Sequence, residues 1–487
     1  MTQKLKNLVN GKWCKTKKYQ NVYNVLNGNL HHKVPNTSKS EIIPFIHSIQ
    51  STPKSGFHNP FKNPERYLML GDVCFRTAHS LHNPTIQDQI IDEIICVTGK
   101  TSAQAYNELA VTRKFLENFS GDQVRFLAKG FNTPGDHNGQ MSNGFRWPYG
   151  GVAIVAPFNF PLEIPLLQLM GSLFMGNKPL LKVDSRVSIV MDSMLKLMHD
   201  NGLPENNVDF IHCNGKVMEH LLLQSKPRMT QFTGSTKIAE KLSKALHGKV
   251  RIEGGGMDWK IVGKNQGLDS GKVYEICAKD AYSFSGQKCS AQSLLFIHAS
   301  WDLLVFQNNL KKLAGKEVMG PLLTLQSDEI IDHANKLLEI KGAKLWFGNK
   351  KKYSDRIPNH LGFVEPTAIY IPLEQINENN IELVTKEIFG PFQVVTSYEN
   401  IDNVLDICER INDHLTAAVV SNDPIFVNYV IGNTVNGTTY TGEKARTTGA
   451  PQNHWFGPCG DPRSAGIGSP EAIIQTWSCH REIIKDH

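Results

Sequence analysis

The sequence has no apolar run long enough to cross a membrane. Its longest apolar stretch, residues 158–175, is interrupted by two prolines, a glutamate and a glutamine, whereas a spanning helix needs about 20 mostly apolar residues. Hydrophobic residues make up 40% of the chain and charged residues 20%, which is typical of an ordinary folded domain. These features predict a soluble protein without membrane partners.

Acidic residues are missing from the start of the chain. None precedes Glu41, although lysines recur from Lys4 to Lys39. Targeting peptides are also poor in acids, but this stretch has no arginine, and residues 8–13 (LVNGKW) predict a strand and hairpin of the folded protein. We interpret the stretch as a basic solvated edge, and we expect no presequence within it. The net charge of +6 is small for 487 residues, so no nucleic-acid groove is expected.

The nine cysteines include no C-x-x-C pair and no zinc-finger spacing. Their scatter and odd number favour reduced thiols in a reducing compartment, and no metal site is expected. Any chemically special cysteine must therefore be identified from its neighbours.

Residues 151–256 alternate short apolar runs with helical patterns, and the chain is long enough for two or three packed units. The pattern predicts strands at 152–156, 179–183, 208–211, 229–232 and 250–252, and helices at 161–175, 187–199 and 216–223, with a last helix ending at Gly248. Such alternation predicts an α/β fold with a doubly wound parallel sheet, whose ligands lie beyond the carboxyl ends of the strands. Elsewhere we expect helices in 87–128, a hairpin or extended excursion in 130–146, a second α/β unit from Asp269 to about Tyr440, and in 446–470 a loop that is either functional or an excursion.

Two segments carry candidate covalent chemistry. Cys289 follows Gly286 and Lys288, and positive charge beside a thiol is expected to lower its pKa; taken alone, a cysteine is more often structural. Glu253 precedes three glycines at a predicted strand end. Glycines there suit the close approach of a ligand or another backbone, and the carboxylate could serve as a general base, although a surface turn is an equally good interpretation.

Two further turns could bind polar groups. Asn159, at a strand end, could donate to an oxyanion, though asparagine more often stabilises its own turn. Gly234 and Ser235 stand between a strand and a helix, where free amides could bind a pyrophosphate or the serine could simply cap the helix. The G-x-G-x-x-G fingerprint is absent, and Gly466-Ile467-Gly468 lacks its strand-to-helix context.

Taken together, six ordered motifs resemble the aldehyde dehydrogenase superfamily: 157–161 (PFNFP), 176–182 (GNKPLLK), 232–236 (FTGST), 253–256 (EGGG), 286–289 (GQKC) and 387–391 (EIFGP). Within it, the chain is most similar to plant-type Δ1-pyrroline-5-carboxylate dehydrogenases, through 58–62, 113–119, 158–171, 285–293 and 447–458. The resemblance implies NAD-dependent oxidation of L-glutamate 5-semialdehyde to glutamate in proline breakdown. Another semialdehyde or a general aldehyde is the alternative substrate.

The resemblance also implies site roles. Cys289 would be the nucleophile, Glu253 the base and Asn159 the oxyanion donor; the cofactor residues would be Lys182, Gly234, Ser235, Glu387 and Phe389, and the substrate residues Phe160, Ser290, Gly466 and Ile467. It implies an NAD-binding domain (1–126 and 149–254), a catalytic domain (255–450) and a β oligomerisation arm (127–148 and 471–487). In that arm, residues 130–146 and 473–485 would pair strands with a partner subunit of a homo-oligomer. The mitochondrial matrix is the location implied, or the cytoplasm if no presequence exists.

Two positions depart from the family pattern. Ser185 replaces the acid that follows the ribose-binding lysine, with Asp184 as a candidate substitute and Arg186 as a candidate 2′-phosphate contact, so NADP is the alternative cofactor. Ala465 replaces a serine of the substrate-anchor loop, which would shift anchoring to backbone amides.

Two other function classes stay open at this point. A thiol hydrolase or acyl transferase would pair Cys289 with a histidine such as His298 or His454. A non-catalytic protein on the same scaffold would be expected to lack Cys289, Glu253 or Asn159, and all three are present.

Overall fold

The computed structural model describes residues 2–354, 357–449 and 453–486. Part of the 447–458 stretch that carries the resemblance, residues 450–452, lies outside the described residues, as does the predicted catalytic-domain boundary at 450. Within the described residues, two seven-stranded sheets and two three-stranded sheets account for all named strands.

The elements of the first half are, in chain order, β1 Gln3–Lys4, β2 Asn7–Val9, β3 Lys12–Cys14, β4 Tyr19–Tyr23, β5 Leu30–Pro35, α1 Ile43–Ser51, α2 Glu65–Ser80, α3 Pro84–Thr98, α4 Ser102–Phe119, α5 Gln123–Phe126, β6 Phe131–Pro134, β7 Met141–Pro148, β8 Gly151–Val155, α6 Glu163–Phe174, β9 Lys178–Lys182, α7 Ile189–Asp200, β10 Asp209–Phe210, α8 Gly215–Ser225, β11 Thr230–Thr233, α9 Thr236–Ala245 and β12 Val250–Glu253.

The elements of the second half are β13 Asp258–Val262, α10 Ser270–Tyr282, β14 Gln292–His298, α11 Leu303–Ala314, α12 Ser327–Leu338, β15 Lys344–Phe347, β16 Thr367–Tyr370, α13 Ile381–Val384, β17 Phe392–Tyr398, α14 Ile401–Glu409, β18 Thr416–Val420, α15 Pro424–Gly432, β19 Thr438–Thr441, α16 Pro470–Trp477 and β20 Ser478–Lys485.

The first large sheet has the order β12-β11-β8-β9-β10-β2-β3. Its five strands from β8 to β12 run parallel, and β2 and β3 add the predicted N-terminal hairpin antiparallel to them. The strand order reverses between β8 and β11, which is the switch point where a doubly wound sheet binds its ligand. The predicted doubly wound sheet is thus confirmed.

Burial explains why this sheet is parallel. Helix α6 is buried at every position, and it packs with α2, α4 and α7 over one face, while α1, α8 and α9 cover the other. Strands covered on both faces can be continuously apolar, as β8 is, with four buried residues of five.

The second large sheet has the order β15-β16-β17-β14-β13-β18-β19. It is parallel except at its edge strand β15, and two apolar clusters cover its faces. This confirms the predicted second α/β unit. Only four residues, 254–257, separate β12 of the first sheet from β13 of the second.

The predicted 130–146 hairpin is confirmed as β6 and β7, which join β20 in an antiparallel sheet. The predicted C-terminal strand begins later than expected. Residues 473–477 lie in helix α16, which Ser469 caps, and Ile473 and Trp477 pack into the core around α6 because they are apolar on one helical face. The strand begins at Ser478.

Candidate active site

The carboxyl edge of the first sheet brings four predicted site residues together. Asn159 follows β8, Lys182 ends β9, Gly234 follows β11 and Glu253 ends β12. The Gly234 amide donates to the Glu253 carbonyl over 3.1 Å, which ties the predicted pyrophosphate turn to the predicted base. This edge includes the switch point of the sheet, where a ligand is expected.

The Glu253 carboxyl group lies close enough to the Cys289 thiol and the Thr233 hydroxyl for both groups to lower its pKa, against the larger raising effect of burial. Glu253 is only 1% exposed, and its Oε1 atom has no partner among the described residues. The predicted nucleophile and the predicted base are therefore neighbours, and one carboxylate oxygen remains available to a water molecule.

The electrostatics of this pair differ from the sequence-based expectation. Burial raises the pKa of Cys289 well above its usual value, and the carboxyl groups of Glu253, Asp258 and Glu387 raise it further. The predicted lowering of this pKa is wrong, because burial and the three carboxyl groups outweigh the favourable charge interaction between Lys288 and the thiol. The Lys288 ammonium donates instead to the carbonyls of Lys279 and Asp280 and to the Ser283 hydroxyl.

Glu253 has the properties that such a thiol requires. Burial raises the pKa of Glu253 to about 7, so its carboxylate is a stronger proton acceptor than an exposed glutamate. Because the thiol is neutral at neutral pH, forming a thiolate requires a base in contact with it. Glu253 is the carboxyl group that lies beside this thiol.

The three glycines after Glu253 are explained by close packing. A Cβ atom on Gly255 would lie 2.3 Å from a Glu387 carboxylate oxygen, and one on Gly256 would lie 2.6 Å from the Cys289 carbonyl oxygen. The Gly256 amide also donates to Glu387 over 3.3 Å. The predicted close approach is confirmed, and the approaching groups belong to the chain itself.

Asn159 does not stabilise its own turn. It is 2% exposed, its Oδ1 has no partner, and its side chain makes no hydrogen bond to the described residues, which leaves its amide N–H groups free to donate. Its two aromatic neighbours pack against other site segments: the Phe158 ring lies 5.8 Å from that of Phe389, and the Phe160 ring lies 6.3 Å from that of Phe284.

A cavity of about 560 Å³ lies between α8 and α9, beside the ends of β8 and β9. Lys182 lines it together with Val155, Phe232 and Ile238, and the Lys182 amine donates no hydrogen bond within the described part of the chain. Ser235 is the N-cap residue of α9, but its side chain makes no capping bond. The helix therefore presents free amides and a free hydroxyl, which can bind an anion.

Comparison with known proteins identifies the family. The model of the aldehyde dehydrogenase family matches residues 65–468. The chain belongs to the aldehyde dehydrogenase family. It is 55% identical over 99% of its length to a Linum usitatissimum protein with an aldehyde dehydrogenase name, and 54% identical over 99% to the mitochondrial Δ1-pyrroline-5-carboxylate dehydrogenase 12A1 of Arabidopsis thaliana; it covers 88% of each. Its fold matches the crystal structure of an NAD-dependent aldehyde dehydrogenase from Sinorhizobium meliloti with a TM-score of 0.85 at 17% identity, covering 100% of this chain and 95% of that one.

In this aldehyde dehydrogenase, Asp184 and Arg186 are bound to each other. The Arg186 guanidinium donates to both Asp184 oxygens, over 3.0 and 2.8 Å, and to the Leu323 carbonyl, and it lies 5.3 Å from the Phe158 ring centre. All three guanidinium nitrogens are thus used within the protein. Neither the proposed substitute acid nor the proposed phosphate contact is free for a ribose.

The substrate-anchor loop is partly committed to internal bonds. The Ile467 amide donates to Phe456 over 2.8 Å, and the Ala465 amide donates to Ile252 over 3.0 Å. The Gly466 amide makes no hydrogen bond to the described residues, while its Cα faces the Trp455 ring so closely that a Cβ would lie 2.7 Å from it. Ser290 is 6% exposed beside Cys289. Gly466 therefore offers the free amide of this loop.

The histidines considered for a hydrolase are engaged elsewhere. His298 bonds Ser300, and His454 bonds Tyr440 and Asn453. Among the described residues no group of three or more histidine, cysteine or acidic side chains could hold a metal ion, and no helix there has the length and apolar character of a membrane span.

Three residues near the site had no signal in the sequence. Asp258 is 1% exposed with Oδ2 unpartnered, Glu163 has its pKa raised to about 8 mainly by burial, and Lys100 is 3% exposed. Each is a single charged residue that belongs to no motif in the sequence. Its place near the site depends on contacts with residues far away in the chain, which the sequence does not show.

Proposed function

We propose that this aldehyde dehydrogenase oxidises L-glutamate 5-semialdehyde, formed from 1-pyrroline-5-carboxylate, to glutamate, in proline breakdown. The Arabidopsis relative at 54% identity carries that activity in its name. The observation that carries the proposal is the contact between Cys289 and Glu253, since a covalent route needs a nucleophile and a base at one place.

The roles of the two residues follow from their contact. Glu253 takes the thiol proton, and the Cys289 sulfur bonds to the aldehyde carbon to give a thiohemiacetal. The Asn159 amide and the Cys289 backbone N–H would donate to the resulting oxyanion, and such a donor typically contributes about 3–4 kcal/mol. Glu253 releases this first proton to solvent and then takes a proton from water as that water attacks the thioester. It returns that proton to the departing sulfur, which restores the thiol, and the product leaves as the carboxylate with loss of its own proton.

NAD, when bound, supplies the hydride acceptor that turns the thiohemiacetal into the thioester. Lys182 would hold its adenosine, because it lines the cavity beside α9 and its amine is free within the described residues. Gly234 and Ser235 would hold its pyrophosphate, because they stand at the start of α9 and the Ser235 hydroxyl makes no capping bond, so the first amides of the helix can donate. Glu387 and Phe389 would hold the nicotinamide ribose and ring. The absence of a free Arg186 favours NAD over NADP.

The substrate would lie among Phe160, Ser290 and the anchor loop. The free Gly466 amide suits the substrate carboxylate, and Ile467 would contribute through its buried side chain because its amide is already bonded.

The test is a comparison of kcat/KM for glutamate, succinate and aliphatic semialdehydes, with reduced nicotinamide as the readout. We expect glutamate 5-semialdehyde to be favoured by at least about 10-fold, because a site that binds polar substrate groups discriminates against analogues lacking them. Equal turnover of simple aliphatic aldehydes would contradict this substrate and favour the general-aldehyde alternative.

The three-unit division, the assembly and the location are also proposals. The two large sheets support an NAD-binding domain (1–126 and 149–254) and a catalytic domain (255–450), with 127–148 and 471–487 as an oligomerisation arm. All four residues of the edge strand β6 are exposed, which supports strand pairing with a second copy. The name of the Arabidopsis relative supports the mitochondrial matrix, with the cytoplasm as the alternative.

A further inference from the structure

Lys100 is a buried cation to which the reaction described above assigns no role. It lies in the short connection between α3 and α4, and its side chain is 2% exposed. Its ammonium forms an ion pair with Glu108 over 2.5 Å. Burying an ion pair has a large desolvation cost, so such a pair is weak evidence of stabilisation by itself.

The ammonium also contacts two aromatic rings. It lies 3.9 Å from the centre of the Phe160 ring and 4.6 Å from that of the Phe284 ring. Both distances are within the range of cation–π attraction, which is stronger in a site without water. One cation therefore joins two segments that are more than 120 positions apart in the chain.

The first segment supplies the oxyanion donor. Phe160 directly follows Asn159, whose side chain is not held by any hydrogen bond to the part of the chain that the structure describes. Glu108 reinforces this segment, because its Oε1 accepts the amides of Leu162 and Glu163 over 2.9 and 3.2 Å, at the start of α6. Lys100 and Glu108 together thus hold both sides of the turn that carries Asn159.

The second segment supplies the nucleophile. Phe284 and Ser285 have φ values of +53° and +52°, a left-handed conformation that non-glycine residues rarely adopt, and they lie a few residues before Cys289. Such a turn persists only if its surroundings hold it. Ser285 is held by two bonds to Gly320, and Phe284 is held by its ring, which faces Lys100.

We propose that Lys100 is a positioning residue that aligns the Asn159 amide with the Cys289 sulfur and backbone amide. It does not touch the reacting atoms; it acts through Phe160 and Phe284. The proposal rests on the covalent aldehyde oxidation proposed above, but not on which aldehyde is the substrate.

The test compares Lys100→Met with Lys178→Met in the full chain. Lys178 is a suitable control because it is also a buried lysine, paired with Asp209 and bonded to Asn10 and Ser48, at the amino end of β9 and away from the site. Both changes remove one positive charge and leave a buried carboxylate unpaired, so similar losses of melting temperature are expected.

The two variants are expected to separate in catalysis. Lys100→Met should lower kcat by about 100-fold, the usual effect of a misplacement of about 1 Å, with the dissociation constant for NAD unchanged. It should also increase the primary isotope effect measured with an aldehyde deuterated at the carbonyl carbon, because the hydride step becomes limiting. Lys178→Met should keep the wild-type kcat per folded molecule and the wild-type isotope effect.

The outcomes are distinct. If the wild-type protein oxidises no aldehyde, the proposed function fails. If the wild type is active and Lys100→Met matches Lys178→Met in kcat and isotope effect, the positioning role fails. If Lys100→Met does not fold, Phe284→Leu is the second variant, because it removes one ring and keeps the ion pair. We expect a loss of about 10-fold in kcat, and Phe306→Leu, in an apolar cluster of the second large sheet, is its control. An unchanged kcat in Phe284→Leu overturns the proposal.

Discussion

The two seven-stranded sheets are built alike but present opposite ends to the site. The first sheet contributes the carboxyl ends of its strands, with Asn159, Lys182 and Glu253 at or just beyond them. The second contributes amino ends: Cys289 lies just before β14, and Glu387 lies just before β17. The rule that ligands bind beyond carboxyl strand ends therefore locates the cofactor side and does not locate the nucleophile. The chemistry depends on the packing of one sheet's carboxyl ends against the other's amino ends.

The largest expected effect comes from removing the Cys289 thiol, which precedes a strand of the second sheet. Cys289→Ala should lower oxidation by at least about 10³-fold, because no covalent adduct can form. Binding of NAD, measured by calorimetry, should stay close to wild type, since the change alters none of the residues proposed to hold NAD. Residual oxidation at the wild-type rate would remove Cys289 from the mechanism.

Removing the base should have a smaller effect of a different kind. Glu253→Gln should lower steady-state turnover by about 10²–10³-fold, the usual contribution of a general base. Where the thiol still adds slowly, rapid mixing should show reduced nicotinamide accumulating before the thioester is hydrolysed. Wild-type steady-state turnover in this variant would show that another group activates the water.

The pH dependence of kcat gives a further test of the role proposed for Glu253. Burial raises the pKa of Glu253 to about 7, and the base must be ionised to accept a proton. The value of kcat should therefore fall as pH decreases through about 7, and this limb should disappear in Glu253→Gln. An unchanged acidic limb in that variant would assign it to a different group.

Asn159→Ala tests the oxyanion donor on the first sheet. We expect kcat to fall by about 10²-fold, as in other enzymes that lose one such donor. The KM for NAD should change little, and Asn159→Asp, which keeps the volume but loses the amide donor, serves as the matched variant. If Asn159→Asp retained wild-type kcat, the donor role would be excluded.

The smallest expected effect is on the binding of NAD alone. Lys182→Ala should raise the KM for NAD by about 10-fold, because it removes one charged hydrogen bond, and it should leave kcat at saturating NAD close to wild type. Lys241→Ala, on the same cavity, is the control for a nonspecific loss of charge. A kcat loss in Lys182→Ala larger than its KM effect would place Lys182 nearer the chemistry than proposed.

Local sequence patterns predicted the secondary structure well where each element packs against its neighbours in the chain. The strands and helices of 151–256 were predicted to within a few residues, since short apolar runs bounded by glycine and asparagine are strong signals. The helical region 473–477 was mistaken for strand because a short apolar run suits either structure, and only its packing on α6 decides between them.

The sequence predicted which residues lie near one another at the site better than it predicted the direction of their pKa shifts. The predicted nucleophile Cys289 and the predicted base Glu253 lie side by side, yet the direction of the Cys289 pKa shift was wrong, because burial and, after it, three nearby carboxyl groups raise this pKa. Lys100 could not be found at all. A lone lysine between two helices gives no sign that two aromatic rings from distant segments will enclose it.

The short connection between the two sheets has a mechanical consequence. A run of three glycines would ordinarily suggest a hinge, but here the space beside two of them is filled by Glu387, Asp258 and the Cys289 carbonyl. The backbone at 254–256 therefore has little room to rotate, and we expect this joint to be stiff despite its glycines. A stiff joint would keep the Glu253 carboxyl group and the Cys289 sulfur at a fixed separation.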